Sequence, residues 1–294
     1  MTLSGGGVFM LNNNLILNRL FAQSLFYRLP QNPADNTYAT IVQRYVSDSA
    51  DKNNGQLISE IYSYMSRNYR NEYFYQNTLL NKLLLGRHSV NTTTALTQVP
   101  VGKSRADFIM INGKAVVYEI KTELDNFDRL QMQLHDYYMA FDHVCMVTSE
   151  NNFEKACELL EDTAVGIYVL TDKNTLSNKL MKEPERYTEC LDYTTLFKLL
   201  RKKEYEDIIQ TFFGSLPEAS QAFFYTECLK LFQSIPMDKA YKAVIKKLKD
   251  RNKIRIVDIS EVPYELRSLV YFTNPTIKEW KRIDSFLQAS YAGG

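Results

Sequence analysis

Residues 105–121 read RADFIMINGKAVVYEIK, and this stretch decides the fold. Asn112-Gly113 separates two apolar runs, FIMI and AVVY, and an Asn-Gly dipeptide in this setting is a strong signal for a β-hairpin. Asp107 interrupts the start of the first strand, whereas Glu119 and Lys121 close the second. Glu119 and Lys121 share one face of their strand because they are two residues apart. The stretch therefore predicts a hairpin with three charged side chains near its open end.

The register of this hairpin decides whether the two carboxylates meet. A two-residue turn at Asn112-Gly113 would place Asp107 and Glu119 on opposite faces of the sheet. A three-residue loop that begins at Ile111 and ends in a left-handed glycine would place both carboxylates on one face. A joint chemical role for these residues requires the second register or an equivalent bulge.

Hydrophobic periodicity predicts the elements around the hairpin. The predicted helices cover about 12–29, 37–47, 56–69, 71–85, 126–141 and 151–162. The predicted strands cover about 92–101, 105–112, 114–121, 143–149 and 165–171. Residues 172–188 are polar and are expected to be irregular, and the chain from about 190 onward is expected to be mostly helical. This order predicts an α/β fold, with a mixed β-sheet core (α-β-β-β-α-β) and helical N- and C-terminal extensions.

Length and composition set the expected domain organisation. A chain of 294 residues is longer than one core of common size, so we expect additions to a central domain. We predict an N-terminal helical extension at 1–70, a core at 71–185 and a mostly helical region at 186–294. The net charge of +1 argues against a protein that binds nucleic acid by bulk electrostatics alone, although a local basic groove remains compatible with it.

Cysteine, histidine and hydropathy patterns narrow the class of protein further. The four cysteines form no CxxC pair, which indicates reduced thiols. The three histidines are too few and too poorly spaced for a zinc site. No stretch reaches the roughly 18 apolar residues that a membrane span needs. We therefore expect a cytoplasmic protein with no membrane partner.

The three charged hairpin residues suit phosphodiester hydrolysis. Asp107, Glu119 and the backbone carbonyl of Ile120 are oxygen ligands of the kind that bind Mg²⁺ or Mn²⁺. Lys121 could orient or deprotonate the attacking water, or stabilise the charge of the transition state. The alternative interpretation is a structural ion pair, or simple exposure of these side chains at the strand ends.

The same residues resemble the catalytic motif of the PD-(D/E)XK nuclease superfamily. The likeness covers roughly residues 71–171: Asp107, then Glu119-Ile120-Lys121 across a hairpin, followed by a helix. Ala106 stands where the motif's name has proline, and the string from 71 to 138 is similar to a little-described bacterial branch. The resemblance implies a restriction-endonuclease-like core, a DNA substrate in preference to RNA, and a role in bacterial or phage defence.

Two residues of the following helix resemble a second family motif. Gln133 and Tyr137 have the spacing of the QxxxY pattern of RecB-like nucleases, in which these residues contact the substrate or the active-site carboxylates. The resemblance therefore implies that they bind substrate. The alternative is a core tyrosine beside a solvated glutamine.

Further charged residues are candidates for the same site. Glu72 either supplies another acidic metal ligand or is a first-turn glutamate that the helix dipole favours. Lys103 and Arg105 either bind substrate phosphates or are solvated surface charges. The basic segment 246–255 (KKLKDRNKIR) either grips a nucleic-acid backbone or forms one charged face of a surface helix.

The leading hypothesis is a Mg²⁺- or Mn²⁺-dependent DNA nuclease whose catalytic residues are Asp107, Glu119 and Lys121. One alternative is a catalytically inactive module of the same fold that binds nucleic acid or protein. Another is an interaction protein in which the three charged residues form an ion pair. A homo-oligomer, or a partner protein that controls activity, is compatible with each hypothesis.

Overall fold

The computed structural model describes residues 14–86, 92–251 and 257–292. The chain forms two compact units. The first unit takes the described parts of Met1–Lys82 and Ile254–Gly294, and the second takes those of Leu83–Lys253. This division differs from the three predicted segments, since the end of the chain groups with the N-terminal helices and residues 186–253 group with the sheet.

The first unit is helical. Its helices are α1 (Leu17–Leu20), α2 (Gln23–Arg28), α3 (Asn36–Tyr45), α4 (Asn54–Asn68), α5 (Glu72–Leu79), α12 (Arg267–Thr273) and α13 (Ile277–Gln288). Buried Asn54 links its two chain segments, since the side-chain amide donates to the carbonyl oxygens of Phe286 and Ala289, both at 3.0 Å. These bonds satisfy polar backbone groups at the end of α13.

The second unit contains a six-stranded mixed sheet. Its strands are β1 (Thr94–Val101), β2 (Ser104–Asn112), β3 (Lys114–Lys121), β4 (His143–Ser149), β5 (Gly166–Leu170) and β6 (Leu176–Lys182). The spatial order follows the chain from β1 to β6. The pairs β3–β4 and β4–β5 are parallel, and the other three are antiparallel. The predicted α/β fold with helical extensions is confirmed.

Helices cover one face of this sheet. They are α6 (Leu130–Tyr138), α7 (Phe153–Leu160), α8 (Tyr193–Lys198), α9 (Lys202–Phe213), α10 (Gln221–Gln233) and α11 (Met237–Asp250). Ile109 and Val117 of the hairpin share a continuous apolar core with Leu134 of α6 and Phe232 of α10. Within the described ranges, no helix is both long and apolar enough to cross a membrane.

The hairpin between β2 and β3 adopts neither of the two predicted registers. Asn112 pairs with Lys114, so that Gly113 alone forms the tip with φ +74°. The last ladder pair at the open end is Phe108 with Tyr118. One further step along the same register places Asp107 across from Glu119. Directly opposed residues share a face of the sheet. This one-residue turn therefore places Asp107 and Glu119 on the same face, as the predicted three-residue loop would have done.

Strand β6 corrects the prediction for residues 172–188, which were expected to be irregular. Its sequence, LSNKLMK, is polar and lacks the apolar alternation of a half-buried strand. The strand pairs only with β5 and forms an edge of the sheet, with most of its residues half-buried. Leu180 packs against the core, but most of its neighbours in the strand are polar, so hydrophobic periodicity does not reveal this strand.

Candidate active site

The predicted catalytic residues lie at the carboxyl end of β3 and face α6. Val117 is part of the core beneath α6, and alternation along the strand carries Glu119 and Lys121 to the same face. Glu119 is 1% exposed and Lys121 is 8% exposed. Charges buried to this degree need partners, because removal from water is costly unless pairing and hydrogen bonds offset it.

Glu119 receives three donors. The Tyr137 hydroxyl donates to Oε2 over 2.5 Å, and Nε2 of Gln133 donates to Oε1. The Lys121 ammonium lies 3.1 Å from Oε1 and also donates to Oε1 of Gln133 over 2.9 Å. Glu119, Lys121 and Gln133 thus form a closed ring of polar contacts, to which Tyr137 adds a hydrogen bond at Glu119. The structure brings the predicted Gln133 and Tyr137 to the carboxylate, and their contact with substrate stays a prediction.

Asp107 continues the hairpin where its backbone ladder ends. The Ile120 amide donates to Oδ2 of Asp107 over 2.9 Å. The Asp107 carboxylate therefore accepts a hydrogen bond that a backbone carbonyl accepts elsewhere in the ladder. The Thr97 hydroxyl donates to the Asp107 carbonyl oxygen over 2.7 Å, which ties the same residue to β1. Asp107 is half-buried, whereas Glu119 is almost fully buried. Asp107 is therefore the more accessible to solvent of the two carboxylates.

Tyr137 stays protonated in this setting. Burial raises the pKa of its hydroxyl well above the ordinary value, and the negative charges of Glu119 and Asp107 raise that pKa further. The hydroxyl also lies 2.9 Å from the Arg105 carbonyl oxygen. Tyr137 is therefore a permanent hydrogen-bond donor that connects α6 with both strands of the hairpin.

The turn between β1 and β2 is held against α6 by buried Asp136, a residue that the sequence did not single out. Its carboxylate accepts from the Lys103 amide over 3.0 Å and from the Ser104 hydroxyl over 2.6 Å. Gly102 in this turn has φ +59°, and an added Cβ would come within 2.7 Å of Asp136 Oδ1. These partners lie more than 30 residues from Asp136 in sequence, so no local pattern marks the contact.

The predicted phosphate-binding residues Lys103 and Arg105 have exposed side chains on and beside this turn. Their backbone atoms are hydrogen-bonded, since the Lys103 amide donates to Asp136 and the Arg105 carbonyl oxygen accepts from Tyr137. The turn and the start of β2 therefore present two exposed cations, which precede Asp107 by four and two residues. Binding of phosphates by these side chains stays a prediction.

Glu72 belongs to the first compact unit, whereas Asp107 and Glu119 belong to the second. It is exposed in the first turn of α5, and its Oε1 accepts from Gln76 Nε2 over 2.7 Å. This position agrees with the dipole-favoured first-turn glutamate, and a role as a metal ligand stays a prediction. Among the residues that the structure describes, no group of three or more His, Cys, Asp or Glu side chains could hold a metal ion.

The basic segment 246–255 is partly neutralised within the protein. Lys247 pairs with Asp207 over 2.9 Å. Arg251 pairs with Glu204 over 2.6 Å and donates to the Leu199 carbonyl. Lys253 and Arg255 lie outside the described residues. The segment is therefore not a uniform basic stripe, and its lysines differ in whether they have an acidic partner.

Comparisons with known proteins give one match. The family model described as bacteriophage P4 protein cII matches residues 65–259, which is more than half of the chain. The matched range contains the whole sheet and the helices from α5 to α11. The searches of curated proteins and of solved structures gave no match. The extent of the family match shows that this chain belongs to the bacteriophage P4 protein cII family.

Proposed function

We propose that this protein is a Mg²⁺- or Mn²⁺-dependent nuclease that hydrolyses phosphodiester bonds of DNA. The observation that carries the proposal is the position of Asp107 across from Glu119, with Lys121 beside them and Tyr137 and Gln133 on Glu119. A structural ion pair needs one carboxylate and one cation. Here a second carboxylate, Asp107, lies on the same face as Glu119 and at a more exposed position, where a metal ion and a substrate could reach it.

The donor atoms fit the proposed metal. Mg²⁺ is usually held by one or two carboxylates, with waters and substrate phosphates completing its ligands. Asp107 and Glu119 supply two carboxylates, and the Ile120 carbonyl oxygen is a third donor of the same hard type. Each carboxylate oxygen has two lone pairs, so the hydrogen bonds to Glu119 do not exhaust its acceptor capacity. A bound Mg²⁺ or Mn²⁺ would lower the pKa of a coordinated water and offset phosphate charge.

The chain's own residues have separable roles in this proposal. Lys121 offers a fixed cation at the site, which would stabilise negative charge on the phosphoryl group or orient the attacking water. Gln133 and Tyr137 fix the Glu119 carboxylate in one orientation, because both of its oxygens accept from them. They are positioning residues in this arrangement. Lys103 and Arg105 would hold the substrate backbone beside the site.

The choice of substrate and setting rests on resemblance. The motif likeness to PD-(D/E)XK nucleases favours DNA over RNA, and the matched family takes its name from a bacteriophage protein. We therefore propose a cytoplasmic enzyme of bacterial or phage origin that acts in defence. We also propose that oligomerisation or a partner protein controls its activity.

The test is cleavage of supercoiled plasmid and linear DNA by the purified protein with Mg²⁺, with Mn²⁺ or with EDTA. Glu119→Ala and Lys121→Ala variants are compared with Lys198→Ala, which removes an exposed lysine of α8 away from the site. We expect metal-dependent cleavage that both site variants lose and the control keeps. Cleavage that persists in all three variants would show that it does not arise at this site.

One observation favours a second candidate function, an inactive module of the nuclease fold that binds nucleic acid or protein. Both oxygens of Glu119 are already engaged, and Lys121 already balances its charge. Metal binding alone does not separate the nuclease from the inactive module, because an inactive module can still bind metal; turnover in the cleavage assay separates them. A ligand that binds the folded state raises the melting temperature, so a melting temperature insensitive to Mg²⁺ and Mn²⁺ would favour the interaction protein in which the three charged residues form an ion pair.

A further inference from the structure

A second charged region lies at the opposite end of β3 from Glu119. A cavity of about 620 Å³ opens beside the hairpin tip and the start of β4. We call it the α11 pocket, and its basic lining residues are Lys114, Arg186, Lys242, Lys246 and Lys249. The carboxylates in its lining are Asp142 and Asp238. Cations outnumber carboxylates in this lining, so the pocket attracts anions.

Asp142 does not neutralise the lysines, because its carboxylate is engaged elsewhere. It accepts from the Tyr241 hydroxyl over 2.5 Å and from His143 Nδ1 over 2.8 Å. It also accepts from Arg186 Nε over 3.1 Å. These contacts tie the start of β4 to α11 and to the segment after β6. The contacts of Asp142 with Tyr241 and His143 are buried, whereas Arg186 is exposed, so part of the pocket wall is organised before any ligand arrives.

Three lysines of α11 lie on one face of the helix, and their neighbour Lys247 lies on another. Lys242, Lys246 and Lys249 follow each other at spacings of four and three residues, which places them on one face. Within the described part of the chain none of the three has a carboxylate at ion-pair distance, whereas their neighbour Lys247 has Asp207. At 1.5 Å per residue the row is about 10 Å long, which is longer than one phosphate group.

We propose that the α11 pocket binds a nucleoside polyphosphate. The row of lysines matches a chain of phosphates better than a single one, and the volume falls within the roughly 300–1,000 Å³ of small-molecule sites. Arg186 supplies a planar guanidinium that Asp142 holds by one edge, and such a plane stacks on nucleobases. The proposal does not depend on cleavage at Glu119, since it concerns different residues, of which Lys114 lies about 17 Å from Glu119 along β3.

The test measures binding of ATP, GTP, CTP, UTP and inorganic triphosphate to the full-length protein by calorimetry and by melting temperature. EDTA is present throughout, so that the proposed metal site makes no contribution. A Lys242→Ala/Lys246→Ala double variant is compared with Lys198→Ala/Lys203→Ala, which removes two exposed lysines outside the pocket lining. Both double variants change net charge equally, so a difference between them reports on position.

We expect at least one nucleotide to bind, with an affinity at least tenfold weaker in the pocket variant and within twofold of wild type in the control. A pocket variant with a lowered melting temperature is replaced by the single Lys246→Ala variant, for which the same direction is expected. Absence of binding by all four nucleotides, or equal losses in the two double variants, would overturn the proposal. Equal affinity for inorganic triphosphate would also overturn it, because the nucleoside would not be recognised.

A single-stranded DNA 20-mer is measured in the same series. Binding of this DNA that the pocket variant weakens, with no binding of any nucleotide, would identify the lysine row as a nucleic-acid surface and sink the nucleotide proposal. Plasmid cleavage is not a readout here, so failure of this proposal and failure of the nuclease proposal are distinguishable.

Discussion

The charged side chains at the two ends of β3 differ in burial and in pairing. At its carboxyl end, Glu119 and Lys121 are buried and bonded to each other and to α6. At its amino end, an open cavity is lined by four lysines that lack acidic partners among the described residues: Lys114, Lys242, Lys246 and Lys249. Charges that are paired inside a protein contribute to its folded geometry, whereas unpaired ones are available to a ligand. Substitutions at the first end should therefore disturb geometry and chemistry, whereas substitutions of the unpaired lysines at the second end should disturb binding alone.

The largest effect is expected at Lys121. Lys121→Met keeps the length of the side chain but removes its cation, so the proposed cleavage should fall by about 10² to 10⁴-fold, the usual range for a general acid–base group. Initial rates of plasmid nicking in Mg²⁺ measure this loss. A variant that retains more than a tenth of wild-type activity would remove Lys121 from the chemical step.

Asp142→Ala should cause the largest loss of stability. Two buried donors, from Tyr241 and His143, would lose their shared acceptor, and exposed Arg186 would lose its ion pair. Breaking a buried polar pair of this kind costs about 3 kcal/mol. Urea unfolding measures the loss, and Asp142→Asn is the matched control because it keeps an acceptor oxygen for Tyr241. Equal losses in the two variants would show that the charge and not the acceptor matters.

The Asp142 contribution also depends on pH. Burial raises the pKa of Asp142, but hydrogen bonds from Tyr241 and His143 outweigh burial and hold that pKa below the ordinary value. A lowered pKa in the folded state stabilises the protein above the unfolded pKa of about 4, and this stabilisation is lost as pH falls through the folded pKa. The difference in unfolding free energy between wild type and Asp142→Asn should shrink as the pH falls below about 4.

Tyr137→Phe tests the Glu119 end of β3, and we expect a moderate loss of both stability and activity. Loss of the hydroxyl leaves buried Glu119 with one donor fewer, which should reduce the free energy of unfolding by about 2 kcal/mol. Activity should fall by about 10 to 100-fold, as for residues that orient a catalytic group. Tyr138→Phe is a useful comparison, because the Tyr138 hydroxyl is buried without a hydrogen-bond partner among the described residues. A smaller loss is expected there.

A pair of glycines separates backbone strain from packing. Gly102 and Gly113 both have positive φ, but an added Cβ meets Asp136 at Gly102 and nothing within 4 Å at Gly113. Gly113→Ala should cost about 1 kcal/mol from backbone strain alone. Gly102→Ala should cost more, because Asp136 must also move. Thermal unfolding of both variants gives the comparison, and equal losses would mean that the Asp136 contact is easily displaced.

The smallest effect is expected for Lys246→Ala. This lysine is exposed in the α11 pocket and has no acidic partner among the described residues. Its removal should change the free energy of unfolding by less than about 0.5 kcal/mol. A larger destabilisation, measured in urea, would mean that the lysine is part of the fold and would erase the contrast between the two ends of β3.

The sequence located the hairpin but could not set its register. Asn112-Gly113 marks the turn by local chemistry, whereas the one-residue tip at Gly113 depends on how β2 pairs with both β1 and β3. Strand β6 was missed for a related reason, since an edge strand with polar residues has no apolar period. Patterns within a segment predict an element, and contacts between segments decide its pairing.

The candidate site shows the same division. Asp107, Glu119 and Lys121 interrupt apolar strands, and this signal is visible in the sequence. The role of Asp136 and the Asp142 network depend on partners that are between 32 and 99 residues away, apart from His143. The basic segment 246–255 looks uniform as a string, and only the fold separates Lys247, which has Asp207, from Lys246, which faces the pocket.

The one-residue tip at Gly113 has a consequence for how this chain varies in evolution. An inserted residue at the tip can be absorbed by a longer turn that leaves Asn112 paired with Lys114, so that Asp107 stays across from Glu119. Inserting or deleting one residue within β2 or β3, between the tip and the carboxylates, would instead shift their pairing by one and move the two carboxylates to opposite faces, unless a bulge restored it. Related chains that retain both carboxylates should therefore differ in length at the tip and not along these two strands.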